Sequence, residues 1–297
     1  MDITTFMIAI YCLIDDNLVG QRLRKRGPQP TLRDSEVLTI EVVGEFLGLD
    51  TESSIFTHFC RYYSDWFPGL RQITRTTFTR QAANLWKVKQ DLWQKLAHCI
   101  AQDPYISIVD SFPVPVCRFA RATYTRLFRE AATYGYDEVA RHIYYGLRAH
   151  VRLAWPGVLV DCTLAPAHLS DTECAEEVLQ DVAGYVLADR NYWKPDLSQR
   201  LKSYGLSLLA PYKSTKHEKQ PYPRFLTHMR YRIETVFGQL VERFHAKRLW
   251  ARDLWHLTSR WMRKFLSHTL AVYVCALEGI SYLSFAKLVA AQTCTCR

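Results

Sequence analysis

No two of the nine cysteines have the Cys-x-x-Cys spacing of a zinc or redox site, and their number is odd. A closed disulfide framework is therefore not expected. Cys12, Cys60, Cys99, Cys117, Cys162, Cys174 and Cys275 read as reduced, mostly buried thiols of a cytosolic protein, with Cys294 and Cys296 in a frayed tail. No His-Glu-x-x-His helix is present, and His142 and His150 share a strand face without a third ligand, which argues against a zinc site. There is no Gly-x-Ser-x-Gly elbow and no Gly-Lys-Ser/Thr phosphate loop, so nucleotide hydrolysis is not expected, nor is a nucleotide cofactor. The chain opens Met1-Asp-Ile, with an acid where a secretory leader has basic residues. Its most apolar helical stretch, around Phe265 to Ile280, contains His268 and Glu278 and is too short to span a bilayer, so no membrane partner is expected. Internal repeats and low-complexity segments are also missing.

What is present is a well-filled core and a positive charge. Apolar residues make up 48% of the 297 residues, enough to rule out wholesale disorder. The formal net charge is +9 and the pI is about 9.1, which favours an anionic polymer as partner.

Residues 2–100 carry helical periodicity throughout. Ile8, Ile10, Cys12 and Leu13 begin one apolar face; a second helix follows Thr31 with Val37, Leu38, Ile40, Val43, Phe46 and Leu47 at helical spacing, and Gly48 and Asp50 end it. A short helix fits Glu52 to Tyr63, Trp66-Phe-Pro-Gly69 is a turn, and one long helix is expected over 76–100. Between the first two helices runs a basic connector with Arg22, Arg24, Lys25 and Arg26, suited to gripping phosphates. Arg75 and Arg80, at the start of the long helix, fit a helix-turn-helix arrangement.

Near residue 103 the period changes to that of strands. Tyr105 to Asp110 reads as a strand, Ile143 to Leu153 and Val158 to Leu164 as a hairpin around Trp155-Pro-Gly157, and Tyr185 to Ala188 and Leu206 to Ala210 as two further strands reached through helices. Asp171 is expected to cap the helix that follows it. The order predicts an α/β fold with a mixed five-stranded sheet and flanking helices, preceded by an all-helical N-terminal domain. The expected domains are 1–102, helical and DNA-binding; 103–290, catalytic; and a tail, 291–297.

Three acids stand out by position. Asp110 and Asp189 each close an apolar run, and Glu234 lies in a basic amphipathic helix, Arg230-Tyr-Arg-Ile-Glu234. Two carboxylates at strand ends and one on a helix can hold two divalent metal ions, the arrangement used to cut and join phosphodiesters. Arg230, one turn before Glu234, could fix its rotamer or touch the scissile phosphate. Asp161 and Asp171 compete for the same role. Arg118, Arg121, Arg126 and Arg129, interleaved with Tyr124 and Phe128, could grip a displaced strand and stack a base; Arg243, Lys247 and Arg248 extend the Glu234 helix along the DNA backbone. Trp250, Trp255 and Trp261 read as core.

Five segments together resemble the DDE-type transposases of bacterial insertion sequences: Asp110-Ser-Phe-Pro-Val-Pro-Val-Cys117, Tyr145-Gly-Leu-Arg-Ala-His150, Leu164-Ala-Pro-Ala-His-Leu-Ser-Asp171, Ala188-Asp-Arg-Asn-Tyr192 and Arg230-Tyr-Arg-Ile-Glu-Thr-Val-Phe-Gly-Gln-Leu240. The resemblance spans about residues 105–275. It implies a ribonuclease H-like fold, two Mg²⁺ ions (with Mn²⁺ as a substitute) on Asp110, Asp189 and Glu234, and cleavage of element ends followed by transfer of the 3′ hydroxyls to target DNA. It further implies double-stranded DNA, both element ends and target, as partner, a homodimer that handles two ends together, and a cytoplasmic, nucleoid-associated protein. Arg230 falls where the family carries an arginine, and Arg190, beside Asp189, joins the expected DNA contacts. Where the family has a lysine seven residues after its glutamate this chain has Val241, and Arg243 is the substitute. A metal-dependent nuclease without strand transfer, or an inactive DNA-binding derivative, are the alternatives.

Overall fold

The structure is a computed structural model that describes residues 1–21, 23, 27–180, 182–212 and 222–289. The basic residues Arg22, Arg24, Lys25 and Arg26, and Cys294 and Cys296 with the expected tail, lie outside the described residues. Two compact units divide the chain, one of residues 1–99 and 240–297, the other of residues 100–239.

The first unit is helical. Its elements are α1 (Ile3–Leu18), α2 (Asp34–Phe46), α3 (Glu52–Tyr62), α4 (Arg75–Asn84) and α5 (Trp86–Cys99), which the C-terminal helices α9 (Leu254–Leu277) and α10 (Phe285–Leu288) complete. The expected boundary at 290 differs from this grouping. α9 buries Trp261, Phe265, Leu266, Leu270 and Val274, and it packs against α5 and α2, so its apolar face is satisfied among helices. α1 buries Phe6, Met7, Ile10 and Ile14, whereas Ile8 and Cys12 of the expected face are exposed. The long helix expected over 76–100 is two helices, broken at Leu85, whose N–H bonds back to Ala82 in a tightened last turn. Asp2, Thr51, Thr74 and Asp253 accept backbone N–H groups at the starts of α1, α3, α4 and α9.

The second unit is a mixed sheet with helices. Its strands are β1 (Asp103–Pro115), β2 (Thr133–Asp137), β3 (His142–Trp155), β4 (Val158–Pro166), β5 (Gly184–Ala188) and β6 (Leu206–Leu209); its helices are α6 (Asp171–Val178), α7 (Pro195–Ser203) and α8 (Arg224–Gly238). β1 is central. It pairs antiparallel with β3 on one side and parallel with β5 on the other; β5 pairs with β6, and β4 and β2 pair with β3. This is the mixed sheet with flanking helices that the resemblance leads one to expect, with six strands in place of five. The added strand, β2, is short and has Gly135 at its centre. A Cβ there would lie 2.7 Å from the Ala167 carbonyl oxygen, so only glycine lets residues 167–169 lie this close to the strand.

Beyond Ala188, β1 has lost its parallel neighbour and continues to Pro115 paired with β3. Pro113 and Pro115, which lack an N–H, sit in this part, where only one edge of the strand has to be served. Val109, Val186, Ala188, Tyr192, Leu197 and Leu201 form a buried cluster with Ala175 and Val178 of α6. Phe112, on the alternate residues of β1, meets Phe237 of α8 with ring centres 4.8 Å apart. α6 and α8 therefore cover opposite faces of β1.

All cysteines among the described residues are free. They are less buried than expected: Cys174 and Cys275 are inside, Cys12 and Cys99 are exposed, and the others are intermediate. Of the tryptophans expected in the core, Trp261 is buried, but Trp250 and Trp255 are largely exposed. Among the described residues no helix is long and apolar enough to cross a membrane.

Candidate active site

Parallel pairing of β1 with β5 sets Val109 opposite Ala188. Asp110 and Asp189 are the next residues beyond this rung of the two strands, so the sheet itself delivers two carboxylates side by side where the strands part. Asp110 is not the end of a strand, as expected; it is the point at which the parallel neighbour leaves. Asp189 precedes a short 3₁₀ turn, Arg190–Tyr192, whose Tyr192 is buried beneath it.

Glu234 arrives from α8. Arg230, one turn earlier, places its Nη1 3.3 Å from a Glu234 carboxylate oxygen and 3.8 Å from Asp110 Oδ2. One guanidinium thus stands between the helix acid and the strand acid. The Asp110 side chain is 19% exposed, and its pKa is pushed up to about 7. Loss of hydration on burial is the main cause. The neighbouring charges of Asp189, Asp171 and Glu234 add to it, against a hydrogen bond from the Ser111 N–H at 2.8 Å.

Asp171 was expected as a helix cap and as a rival for the metal role. Ser170 is the cap instead. Its backbone N–H and hydroxyl both reach Glu173, 2.7 and 2.6 Å away, and Ser170-Asp-Thr-Glu173 is a capping box. Released from capping, Asp171 turns into the protein. Its Oδ1 accepts the Ser111 hydroxyl at 2.5 Å and lies 3.6 Å from Arg148 Nη1 and 3.7 Å from His150 Nδ1. Burial, helped by Arg148 and opposed by Asp171, holds His150 down at about 4, so its ring is neutral at ordinary pH. Burial and the nearby acids also push the Tyr192 hydroxyl well above its usual range. Ser111, Arg148, His150, Asp171 and Tyr192 form a polar layer on the α6 face of the sheet that sequence reasoning missed. The Ser-x-x-Glu spacing could have signalled it, because it assigns the cap to Ser170 and leaves Asp171 unexplained.

The other rival, Asp161, pairs across the hairpin with Arg152, 3.9 Å away, and stands apart from this cluster. Among the described residues no three His, Cys, Asp or Glu side chains are drawn together as a metal-binding group. Arg230 fills the gap between Asp110 and Glu234. The donors nevertheless suit a hard divalent ion, being carboxylates whose charges together raise the proton affinity of Asp110.

The expected DNA contacts fall in several places. Arg118, Arg121, Arg126 and Arg129 are exposed on the connection between β1 and β2, as are Tyr124 nearby and Arg190 beside Asp189. Arg75 and Arg80 are exposed on α4. Arg248 is exposed and Lys247 partly so, whereas Arg243 lies over the Phe46 ring, 4.1 Å from its centre, and burial lowers its pKa. The helix carrying Glu234 ends at Gly238 and passes into a π-helical turn, Gln239–Arg243, so these last three residues do not continue its face as expected.

Residues 100–248, half of the chain, match the family described as Transposase DDE domain, and the chain belongs to that family. Among solved structures, a cryo-EM structure of the piggyBac transposase synaptic complex with hairpin DNA is similar over 96% of this chain and 76% of that one, with a TM-score of 0.49 and 11% identity. No curated protein matches the chain.

Proposed function

We propose that this transposase cuts and joins DNA with Asp110, Asp189 and Glu234 as its catalytic carboxylates, holding two divalent ions that are Mg²⁺ in ordinary use and replaceable by Mn²⁺. The observation that supports this best is the shared rung of β1 and β5, which sets Asp110 beside Asp189 while α8 directs Glu234 and Arg230 at the same point. A carboxylate with a pKa near 7, among three other acids, is one that gains from a nearby cation. Bound there, the ions would activate the attacking oxygen and steady the departing 3′ oxygen.

The chain's own residues supply the rest. Asp110 and Asp189 offer hard oxygen donors on rigid strands, so their separation is set by the sheet. Arg230 shares its charge between Asp110 and Glu234, keeps the helix acid in one rotamer, and is placed to meet a phosphate oxygen. The Ser111–Asp171–Arg148 set holds β1 against α6 from below. Exposed arginines on the β1–β2 connection and on α4 grip the DNA backbone, and two copies act together on two element ends.

Purified protein with DNA from both flanks of its coding region should nick that DNA at the element boundary when Mg²⁺ or Mn²⁺ is added. It should also join precut ends to a second duplex. Absence of cutting, or full cutting by Asp110→Ala, would refute the proposal; cutting without joining would reduce the protein to a nuclease.

A further inference from the structure

β2 ends the strand order at one side of the sheet, and its two faces differ. The α6 side is covered by residues 167–169: a Cβ at Gly135 would meet Ala167, and the His168 N–H donates to Thr133 Oγ1 at 3.0 Å. The other face carries Tyr134 and Tyr136, 46% and 50% exposed, with the equally exposed Ile143 of β3 opposite Tyr136. Strand pairing identifies this face. Tyr134 pairs with Tyr145, and alternate residues of β3 lead from Tyr145 through Leu147 to Ala149, which pairs with Phe112. Phe112 meets α8, and Asp110 stands two residues before it on the same strand. The two tyrosines and Asp110 therefore share one face, the one from which Arg230 and Glu234 approach.

The connection between β1 and β2 crosses the same face. Phe119 meets Tyr134 edge-on with ring centres 6.3 Å apart, Tyr134 leans on Tyr145 at 5.3 Å, and the Tyr145 hydroxyl donates to the Leu127 carbonyl at 3.4 Å. Phe128 is buried and anchors the connection rather than stacking a base, while the four arginines of this segment stay outside. The solvent face of an edge strand is ordinarily polar; this one is aromatic and bordered by cations. Tyr134 and Tyr136 are spaced by roughly 6.8 Å along β2, twice the 3.4 Å rise of a stacked strand, so each ring can meet one base of an extended strand. A duplex hides its base faces. An unpaired strand presents them, together with phosphates that suit the arginines. The Tyr134 rung lies about six residues along β1 from Asp110 and two strands across, roughly 20 Å, a gap that on the order of six nucleotides would span.

We infer that this face is a platform for unpaired DNA: it takes a single-stranded stretch of the strand that reaches Asp110, with bases on Tyr134 and Tyr136 and phosphates on the arginines of the β1–β2 connection. The inference rests on the DNA-cutting function proposed above. Because stacking on an aromatic ring is indifferent to base identity, the platform holds the strand beside the acids without selecting its sequence.

The test measures binding of a labelled oligothymidine strand to the full chain without divalent ions, so that no cutting occurs. Tyr136→Ala should weaken this binding about tenfold, Tyr136→Trp should restore it, and blunt duplex should bind both variants as it binds wild type. Tyr204→Ala, which removes an equally exposed tyrosine after α7, should change nothing. A strand of the same length made of abasic sites keeps the phosphates and loses the bases; it should bind wild type at least about tenfold more weakly, a comparison that needs no variant to fold. Equal affinity for the thymidine and abasic strands, or equal losses from Tyr136→Ala and Tyr204→Ala, would overturn the inference. So would a Tyr136→Ala chain that binds the strand normally but changes its oligomeric state in sedimentation, since the face would then belong to a second copy. Cutting of the flanking duplex in Mg²⁺ is read separately: its absence from the wild-type chain removes the proposed function, whereas normal cutting with no base-dependent binding removes the platform alone.

Discussion

In the helical unit Glu41, Glu45 and Glu52 are buried against Lys89, Arg260, Arg263 and Lys264; in the sheet unit Asp110, Asp171, Asp189 and Glu234 are gathered near Arg148 and Arg230. The first group is matched. Arg263 donates to Glu45 at 2.7 Å and reaches Glu41 and Glu52 at 3.3 and 3.4 Å, Lys264 pairs with Glu45 at 3.0 Å, Lys89 with Glu41 at 2.6 Å, and Arg260 with Glu52. Against the upward pull of burial, Arg263 and Arg260 hold Glu52 down at about 2. In the second group burial and mutual repulsion raise Asp110 to about 7. Burial alone therefore does not distinguish structure from chemistry. What distinguishes them is whether the acids have been given enough positive charge, and the sheet unit leaves them short.

The sharpest way to break this contrast is to remove single acids from each group. Asp110→Ala, Asp189→Ala or Glu234→Ala should lower DNA cutting by on the order of 10⁴-fold, as for loss of one member of a unit that acts together, while the fold survives. Near-normal cutting rates by all three would place the chemistry elsewhere. In the matched group the cost should fall on the fold: Arg263→Met leaves Glu45 buried without its main partner and should lower the unfolding free energy by about 3–5 kcal/mol in urea titration.

The two groups should also answer pH with opposite signs. Glu52 has a folded pKa below its unfolded value of 4.5, so its contribution is present above about pH 4.5 and is lost as pH falls toward 2. Asp110 has a folded pKa above its unfolded value of 3.8, so between about pH 4 and 7 the fold binds the extra proton and loses stability as pH rises. Scanning calorimetry without divalent ions should accordingly find Asp110→Asn several degrees more stable than wild type at pH 8 and close to it at pH 4. Mg²⁺ should raise the wild-type Tm at pH 8 and leave that of Asp110→Asn nearly unchanged. Equal responses of the two proteins would dissolve the contrast. The smallest effect concerns the cap that frees Asp171. Ser170→Ala should cost about 1 kcal/mol in the same titration, and no loss at all would mean that Asp171 can take over the cap.

Much of the site was legible because its signals are local. Apolar runs ending in Asp110 and Asp189 mark strands that pair in parallel up to these residues, and the four-residue step from Arg230 to Glu234 marks one helix face. What escaped depended on partners distant in the chain. β2, a Thr-Tyr-Gly-Tyr-Asp segment weakened by its glycine, is a strand because β3 offers it an edge. The break at Leu85 has neither glycine nor proline to announce it. Helix α9 reads as equally apolar in either unit, and only its packing against α5 and α2 assigns it to the helical one. The polar layer around Asp171 was hidden by a plausible local role, that of a cap, which Ser170 in fact fills.

The rung shared by β1 and β5 has one more consequence. Because a backbone ladder spaces the first two acids, the long excursion through the hairpin and α6 that separates them in the chain can grow, shrink or acquire a new module without altering their gap. Under the proposed function, drift in those connecting segments would change which DNA is held while leaving the spacing of Asp110 and Asp189 as it is.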